Sequence, residues 1–468
     1  MLAVLGLVQL LRDLPLWYDE LYTAELAALP LGQLAELVSG GRGPDGPLAA
    51  VPPSYNAPYY ALVHLWLRLP LVEPTALWLR LPSLVCAVAA VAVLVDVVRA
   101  LAGRRTALLA GLLLATAPLL VEQSVEARSY GPALLAVALA AHALQRRRLL
   151  AYGLAALAAG LLHWFALPAV AGLALAALLQ QRRAALPVLA VTAVAALPTL
   201  ALVALALTHE TAGSPRPPDA GALVPLLALR DWALGQWPLV VLTTAAAALG
   251  LVRSPQRLLP ACWLLVPVAA MTGLALARPV YFPRYLLPGL VALPVLAALG
   301  VALLQDRRVR AGAALLLVAA SVAAVVPRLL VAPKEQGPAV VALLADRQRP
   351  GEAVVAADPR AALALRHYAG LEAPRLLADL RVPPDDVPPG ASAPVWLVRF
   401  AAGAAPPRTD DDALLEARGW SVSEQVALSG RTGDLVVQRW GPAARGAGGA
   451  GPARTAGRGS APAPPPSR

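Results

Sequence analysis

The sequence predicts an all-α polytopic membrane protein followed by a small α/β domain. Hydrophobic residues make up 58% of the 468 residues and charged residues only 14%, which is too little charge to cover the surface of a soluble protein of this size. The mean hydropathy is +0.64. After about residue 332 charges and prolines return and the apolar runs shrink to strand length. We therefore predict a membrane domain at 1–331, an α/β domain at 332–440 and a disordered tail at 441–468.

Long apolar runs predict the membrane helices. The first run, 1–11, is short for a span and has no basic residues before it, so no cleavable signal peptide is evident and the true start of the chain stays open. Together with the later runs it makes about eleven spans. The later runs lie at about 81–101, 107–121, 130–145, 149–165, 166–180, 184–207, 237–252, 258–276, 287–304 and 311–331.

Clusters of arginine predict which loops face the cytoplasm. They lie in alternate loops, and placing all of them inside follows the positive-inside rule. Loops at about 12–80, 122–129, 208–236 and 277–286 then face outward, as do the turn at 163–164 and the C-terminal domain. The arginine clusters are Arg104-Arg105, Arg146-Arg147-Arg148, Arg182-Arg183, Arg253 with Arg257, and Arg307-Arg308 with Arg310.

Residues 57–72 are apolar enough to be taken for a span. Counting them as one would break the alternation of basic and non-basic loops, so we predict a helix lying along the outer membrane surface. The bias toward Ala, Leu, Val and Arg is typical of a GC-rich bacterial genome, and Lys334 is the only lysine. The predicted location is therefore the bacterial cytoplasmic membrane, crossed many times.

Several functional classes do not fit these features. The formal charge of +11 lies largely in the short loop clusters, and no basic face interleaved with aromatic residues indicates a nucleic-acid partner. Cys86 and Cys262 lie inside apolar runs, where cysteine is usually a small core residue and not part of a disulfide or a metal site.

The first outward loop begins with two adjacent carboxylates among aromatic residues, in Trp17-Tyr18-Asp19-Glu20. Tryptophan and tyrosine favour the membrane interface. A carboxylate at that depth is partly desolvated, which raises its pKa and makes it a better base. The competing interpretation is a solvated loop after a membrane helix.

The other outward loops also collect acids, arginines and aromatic residues. If these loops cluster, they form one polar site at the outer face. Arginine pairs with phosphate, carboxylates accept hydroxyl protons, and rings hold sugars and isoprene chains, which is the chemistry of a lipid-linked phosphosugar. The candidates are Tyr55, Asn56, Tyr59, Glu126, Arg128, Tyr130, His163, Arg284 and Tyr285.

Each candidate also has a structural interpretation. Arg128 and Arg284 could be interfacial anchors, and Glu126 could simply pair with Arg128. His163 at a helical turn is commonly a solvated polar residue, and Tyr59 could be interface packing. Asp96 lies three residues before Arg99 near the end of a span, so a structural ion pair is favoured there over a proton relay.

Several short motifs in fixed order carry a family resemblance. The sequence resembles membrane glycosyltransferases of the GT-C fold, and more closely the bacterial family 39 proteins, relatives of protein O-mannosyltransferases and of the aminoarabinose transferase that acts on lipid A. The likeness runs from about residue 10 to 330. The motifs are Trp17-Tyr18-Asp19-Glu20, Asn56-Ala57-Pro58-Tyr59-Tyr60, His64-Leu65-Trp66, Arg80-Leu81-Pro82-Ser83, Glu126-Ala127-Arg128-Ser129-Tyr130 and Pro283-Arg284-Tyr285-Leu286-Leu287-Pro288.

This resemblance implies a GT-C-like fold and a catalytic carboxylate, Asp19, that acts as the base and is supported by Glu20. It implies transfer of a hexose or pentose, with inversion, from a polyprenyl-phosphate donor to a hydroxyl of a protein, lipid or cell-wall glycan. Arg128 and Arg284 are the candidates for binding the phosphate leaving group. No cofactor is implied with certainty; a divalent cation held by Glu20, Glu126 and His163 stays open.

One position departs from the family pattern. Many relatives carry a charged residue and two prolines before the aromatic pair, where this chain has Tyr55-Asn56-Ala57-Pro58. Asn56 keeps a hydrogen-bonding group without charge. Two other functions therefore stay open: a non-catalytic protein that binds lipid-linked glycans, and a secondary transporter. A transporter predicts charges at mid-membrane and two matching halves, and the sequence has almost no such charges and no repeat.

Overall fold

The computed structural model describes residues 1–43, 53–209, 219–330, 332–381, 393–402 and 410–442. They fall into two compact units. Unit 1 comprises Met1–Leu14, Thr23–Gly43 and the chain from Ala50 to Val331. Unit 2 comprises Pro15–Tyr22 and the described residues from Ala332 onward.

Helices form unit 1, and most of them follow the predicted apolar runs closely, because hydropathy is a local property of the sequence. The helical elements up to residue 330 are α1 Leu2–Leu10, α2 Tyr18–Ala28, α3 Leu31–Gly40, α4 Ala57–Leu67, α5 Ala76–Ala115, α6 Pro118–Ser124, α7 Tyr130–Gln145, α8 Leu149–Leu162, α9 Leu167–Gln181, α10 Leu186–Thr208, α11 Val224–Trp232, α12 Trp237–Arg253, α13 Leu258–Ala277, α14 Leu287–Leu290, α15 Ala292–Ala302 and α16 Arg307–Leu329.

Length and composition identify the helices that can cross a membrane. In the described part of the chain four candidate spans qualify: Ala76–Ala115, Trp164–Thr208, Leu258–Ala277 and Arg307–Leu329. The number rises to six if two bent pairs, at 221–253 and 283–302, each count as one span. Helices α7 and α8 are apolar but shorter. The figure of about eleven spans stays a prediction.

The structure shows how two predicted connections are built. Helix α5 contains the runs predicted at 81–101 and 107–121 as two segments that lie against each other, with Gly111 beside Val95. The two segments meet at Gly103, which has a φ of 83°. This is a left-handed conformation that glycine adopts without the Cβ clash of other residues. The predicted outer loop 208–236 contains helix α11, which begins at Val224 with Pro225 in its first turn, a position where proline loses no hydrogen bond.

Small residues let some helices of unit 1 approach closely. Gly250 of α12 and Gly300 of α15 face each other's backbone: a Cβ at Gly300 would collide with the carbonyl oxygen of Ala246, and one at Gly250 with that of Leu296. Such contacts, known from small-residue interfaces of membrane helices, gain van der Waals energy that larger side chains would exclude.

This close crossing makes Gly300 sensitive to substitution. We expect Gly300→Ala to destabilise the protein by roughly 1–3 kcal/mol, because the added methyl meets backbone that cannot move aside. Gly312→Ala in α16 is the matched control, since nothing lies within 4 Å of a Cβ there and alanine is the better helix former. Thermal unfolding of the detergent-solubilised protein checks this, and equal melting temperatures for the two variants would contradict it.

A mixed sheet forms the core of unit 2. Its strands are β1 Ala353–Ala356, β2 Leu380–Arg381, β3 Val395–Ala401, β4 Trp420–Ser429 and β5 Asp434–Pro442, in the order β2-β1-β3-β5-β4. Strands β2, β1 and β3 are parallel, and β5 pairs antiparallel with β3 and β4. The helices are α17 Gly337–Arg347, α18 Pro359–Glu372, α19 Arg375–Asp379 and α20 Asp410–Ala417.

The predicted small α/β domain is thus present, and the sequence did not indicate α19 or β2. Strand β5 continues through Gly441 and Pro442, and the rest of the predicted tail lies outside the described residues. Apolar side chains including Val355, Leu397 and Trp440 form the core of the domain. A buried ion pair also lies in it: Arg399 binds Asp412 in bidentate fashion, with two N–O distances of 2.6 Å.

Candidate functional site

The predicted outward residues of unit 1 come together at the ends of several helices. Glu126 and Arg128 lie in the short connection between α6 and α7, and both are buried, at 4% and 5% exposure. Asn56 and Tyr59, at the beginning of α4, are almost completely buried. The side chain of Tyr55 lies outside the described residues.

Hydrogen bonds join these segments. The Ser129 hydroxyl donates to Oδ1 of Asn56 at 3.3 Å, which connects the beginning of α4 to the α6–α7 connection. The Ser83 hydroxyl of α5 donates to the carbonyl oxygen of Arg128 at 2.5 Å. Gly131 lies so close to the carbonyl of Ser83 that a Cβ would collide with it. The backbone around Arg128 is therefore held from two sides.

An aromatic cluster surrounds His163, which lies in the turn after α8. The His163 ring lies 5.2 Å from the ring of Tyr130 and 5.5 Å from that of Tyr285, measured between centroids. Phe165 stacks on Tyr285 at 4.5 Å. The site thus includes Phe165, which the sequence analysis did not single out because one phenylalanine in an apolar run carries no distinguishing pattern.

Arg284 borders the same cluster from the short 3₁₀ helix Pro283–Leu286. Its guanidinium lies 4.5 Å from the ring centroid of Phe282 and 5.8 Å from that of Tyr285. Aromatic faces attract a guanidinium and orient its plane, so Arg284 is held on one side while it stays partly exposed.

Two guanidiniums, those of Arg128 and Arg284, lie near His163. Burial, together with the nearby guanidiniums of Arg128 and Arg284, lowers the pKa of His163 to about 3. The imidazole is therefore neutral at physiological pH, where it can donate one hydrogen bond and accept another. Two guanidiniums beside a neutral imidazole and several rings are suited to an anion that carries apolar or sugar groups.

A divalent cation held by Glu20, Glu126 and His163 stays a prediction. Within the described ranges, no three His, Cys, Asp or Glu side chains group in a way that could hold a metal ion. Three residues were considered as ligands of a divalent cation. Glu126 and His163 belong to unit 1, and Glu20 belongs to unit 2.

Asp19 and Glu20 lie in the first turn of α2, where the partial positive charge of a helix N-terminus favours carboxylates. Asp19 is partly exposed, whereas Glu20 is only 1% exposed and its Oε2 accepts a hydrogen bond of 3.4 Å from the Trp17 backbone nitrogen. Asp19 is therefore the more accessible of the two acids, and Glu20 is buried against the backbone of its own turn.

Unit 2 surrounds this turn with residues that the sequence analysis did not single out. Glu335 accepts a hydrogen bond from the Tyr18 backbone nitrogen at 3.0 Å, across 317 residues of sequence. The Arg360 guanidinium lies 5.0 Å from the ring centroid of Tyr18. Separation along the chain hides such partners, because no local pattern joins them to Asp19.

Comparisons with known proteins identify a solved structure with a similar fold. No family model matches the chain, and no curated protein matches its sequence. The crystal structure of ArnT from Cupriavidus metallidurans in the apo state matches with a TM-score of 0.53 and 15% identity, over 93% of this chain and 96% of ArnT. This chain has the ArnT fold.

A second ArnT structure, with undecaprenyl phosphate bound, matches with a TM-score of 0.52 at the same identity and coverage. The resemblance to GT-C membrane glycosyltransferases that the motifs indicated is therefore confirmed at the level of the fold. The matched share includes most of both units, so the small sheet domain belongs to the compared fold as well as the apolar helices.

Proposed function

We propose that this protein is a membrane glycosyltransferase that moves a sugar from a polyprenyl-phosphate donor to an acceptor hydroxyl on the outer face of the cytoplasmic membrane. One observation carries the proposal: the chain shares its fold, over 93% of its length, with an ArnT structure that binds undecaprenyl phosphate. The rings and the two guanidiniums around His163 support it, because this chemistry suits a lipid-linked phosphate.

The proposed reaction is a single displacement. Asp19 accepts the proton of the acceptor hydroxyl, whose oxygen attacks the anomeric carbon of the donor sugar. The bond between that carbon and the phosphate oxygen breaks, and the polyprenyl phosphate leaves with the electron pair. Attack from the side opposite the phosphate inverts the configuration. The acceptor is a protein, a lipid or a cell-wall glycan.

Arg128 and Arg284 are proposed to bind the phosphate. As the glycosidic bond breaks, negative charge grows on the phosphate oxygens, and a guanidinium fork held in place stabilises that charge more than it stabilises the donor. The aromatic rings of Tyr130 and Tyr285 provide faces for the sugar or the isoprene chain. Asn56, Tyr59 and Glu126 would complete the donor site.

Binding of the lipid phosphate tests the donor half of the proposal. We expect the purified protein to bind undecaprenyl phosphate in native mass spectrometry, and we expect Arg284→Gln to weaken binding by about tenfold, the value of one charge-assisted hydrogen bond. Arg278→Gln is the matched control, an exposed arginine in the same loop. Equal affinity of the two variants would remove Arg284 from the phosphate site.

Transfer tests the reaction itself. Membranes that carry the protein should move radiolabelled sugar from one of a panel of polyprenyl-phosphate donors to an endogenous acceptor fraction, and membranes without it should not. Lipid binding without transfer from any donor would favour a non-catalytic protein that binds lipid-linked glycans. Absence of both would refute the proposal and bring the transporter alternative forward.

A further inference from the structure

Within unit 2, the C-terminal domain holds the backbone just before Asp19. The Tyr368 hydroxyl donates to the carbonyl oxygen of Leu16 at 3.0 Å. The Lys334 ammonium lies 4.0 Å from the ring centroid of Trp17. Glu335 Oε2 accepts from the Tyr18 nitrogen at 3.0 Å. Three consecutive residues thus each have a partner in the domain, and the turn with Asp19 and Glu20 follows directly.

Glu335 is the charged centre of these contacts. It is 2% exposed, and its Oε1 lies 3.6 Å from a guanidinium nitrogen of Arg360. The Arg360 guanidinium also lies near two rings, 4.2 Å from the centroid of Phe400 and 5.0 Å from that of Tyr18. One cation therefore contacts both Glu335 and the residue whose backbone Glu335 binds.

Asp358 fixes the backbone position from which the Arg360 side chain extends. One of its carboxylate oxygens caps α18 by accepting from the nitrogens of Arg360 and Ala361, at 2.8 and 3.0 Å. The other accepts from the Phe400 nitrogen at 2.6 Å. Because Asp358 joins the beginning of α18 to strand β3, the position of Arg360 is set by the fold of the domain and not by the flexible side chain alone.

We propose that Glu335 is a positioning residue that holds the N-terminal turn of α2. The turn is held more firmly when the carboxyl group of Glu335 is ionised, and the reactivity of Asp19 changes with it. The proposal rests on the proposed function in one respect, the role of Asp19 as the base. The holding of the turn stands on the contacts of unit 2 themselves.

The charge state of Glu335 changes near neutral pH. Burial raises its pKa to about 7, with smaller contributions from the negative charges of Asp19 and Asp358 and against the opposing effects of Arg360 and of the Tyr18 N–H. Lys334, the preceding residue, adds a positive charge to the same segment. Above pH 7 the ionised carboxylate forms a charge-assisted hydrogen bond to Tyr18 and an ion pair with Arg360.

Ionisation acts on Asp19 in two ways. The stronger hydrogen bond orders the backbone that carries it, and the added negative charge raises its proton affinity, which makes it a better base. Both effects increase with pH, so kcat/KM of the wild type should rise through about pH 7. The protonated carboxyl below that pH still accepts from Tyr18 but attracts Arg360 less.

The experiment compares Glu335→Gln with wild type in the purified full-length protein between pH 5.5 and 8.5. Glutamine keeps an oxygen for the Tyr18 N–H and loses the charge. We expect the rise in kcat/KM near pH 7 to disappear and activity at pH 8 to fall by about tenfold. The KM for the donor should change little. Glu335→Asp, which restores the charge, should restore the pH-dependent rise.

Glu352→Gln is the matched control for domain stability. Glu352 is a second buried glutamate of unit 2, 3% exposed, whose Oε2 accepts from the Trp396 indole at 2.7 Å. In the contrary outcome, Glu352→Gln lowers activity at pH 8 as much as Glu335→Gln does, while kcat/KM of both variants still rises near pH 7. In that case the role of Glu335 would be structural only and the proposal would be overturned.

Hydrogen exchange of the peptide 15–22 provides a readout that does not require transfer. In the wild type its protection should increase through pH 7, after correction for the intrinsic pH dependence of exchange, and in Glu335→Gln it should not. If protection changes as expected while no donor supports transfer, the positioning role holds and the proposed function fails. If protection shows no difference between the two proteins, the positioning role fails whether or not transfer occurs.

Discussion

Replacing Asp19 with asparagine is expected to lower the rate of sugar transfer by about 10²–10⁴-fold, the usual contribution of a general base. Asparagine has nearly the same size and keeps a hydrogen-bond acceptor, but it cannot take the proton of the acceptor hydroxyl. Asp19 is partly exposed at the first turn of α2, so the exchange creates no cavity in a packed core. Transfer of radiolabelled sugar in membranes at matched expression measures the effect.

The matched control is Glu25→Gln, which neutralises another partly exposed acid on the same helix. We expect transfer close to wild type. Transfer by Asp19→Asn at the level of this control would exclude Asp19 as the base, and a non-catalytic role would then become the better explanation if the protein still bound the lipid phosphate. Glu20→Gln should lie between the two, since Glu20 holds the turn from a buried position.

Replacing Arg128 with alanine is expected to slow transfer by about 10²–10³-fold, a loss of roughly 3–4 kcal/mol of transition-state stabilisation. Arg128 is 5% exposed, and electrostatic contacts in a site shielded from water are stronger than those at the surface. Arg128→Lys should recover only part of the rate, because an ammonium cannot offer the two parallel donors of a guanidinium to one phosphate.

The separate effects of the Arg128 substitution on kcat and on the KM for the donor identify the role of Arg128. If it stabilises the leaving phosphate, kcat falls much more than the KM for the donor rises. Arg104→Ala, at an exposed arginine within α5, is the control and should keep wild-type kinetics. A rise in KM alone would assign Arg128 to ground-state binding of the donor, and unchanged kinetics would make it an interfacial anchor.

The sequence indicated much of the local structure, for reasons that are themselves local. Hydropathy located helices such as α7, α8 and α12 to within a few residues, and the return of charges together with apolar runs of strand length indicated the C-terminal α/β domain. Arg128, Tyr130, Arg284 and Tyr285 were singled out because charged and aromatic residues between apolar helices have few roles other than anchoring or binding. Their order along the chain indicated the GT-C fold, which the ArnT structures match.

The turn inside α5 shows what composition leaves undecided. Two apolar runs with basic residues between them predicted two helical segments and a turn, and the structure has both, with the turn at Gly103. Gly111 of the second segment lies against Val95 of the first, so the chain reverses direction there. Composition did not indicate which residue makes the turn, whereas the structure assigns it to a glycine with a positive φ.

The sequence by itself therefore determined the class of protein, the helices and the kinds of side chain in the site, because each depends on residues close together in the chain. Only the tertiary structure decided which distant groups meet. It brought Asn56 to Ser129 and Tyr130 to His163, and it placed Glu335 and Arg360 beside Tyr18. The physical reason is that such contacts depend on how whole helices and sheets pack, and no periodicity or spacing in the sequence records that packing.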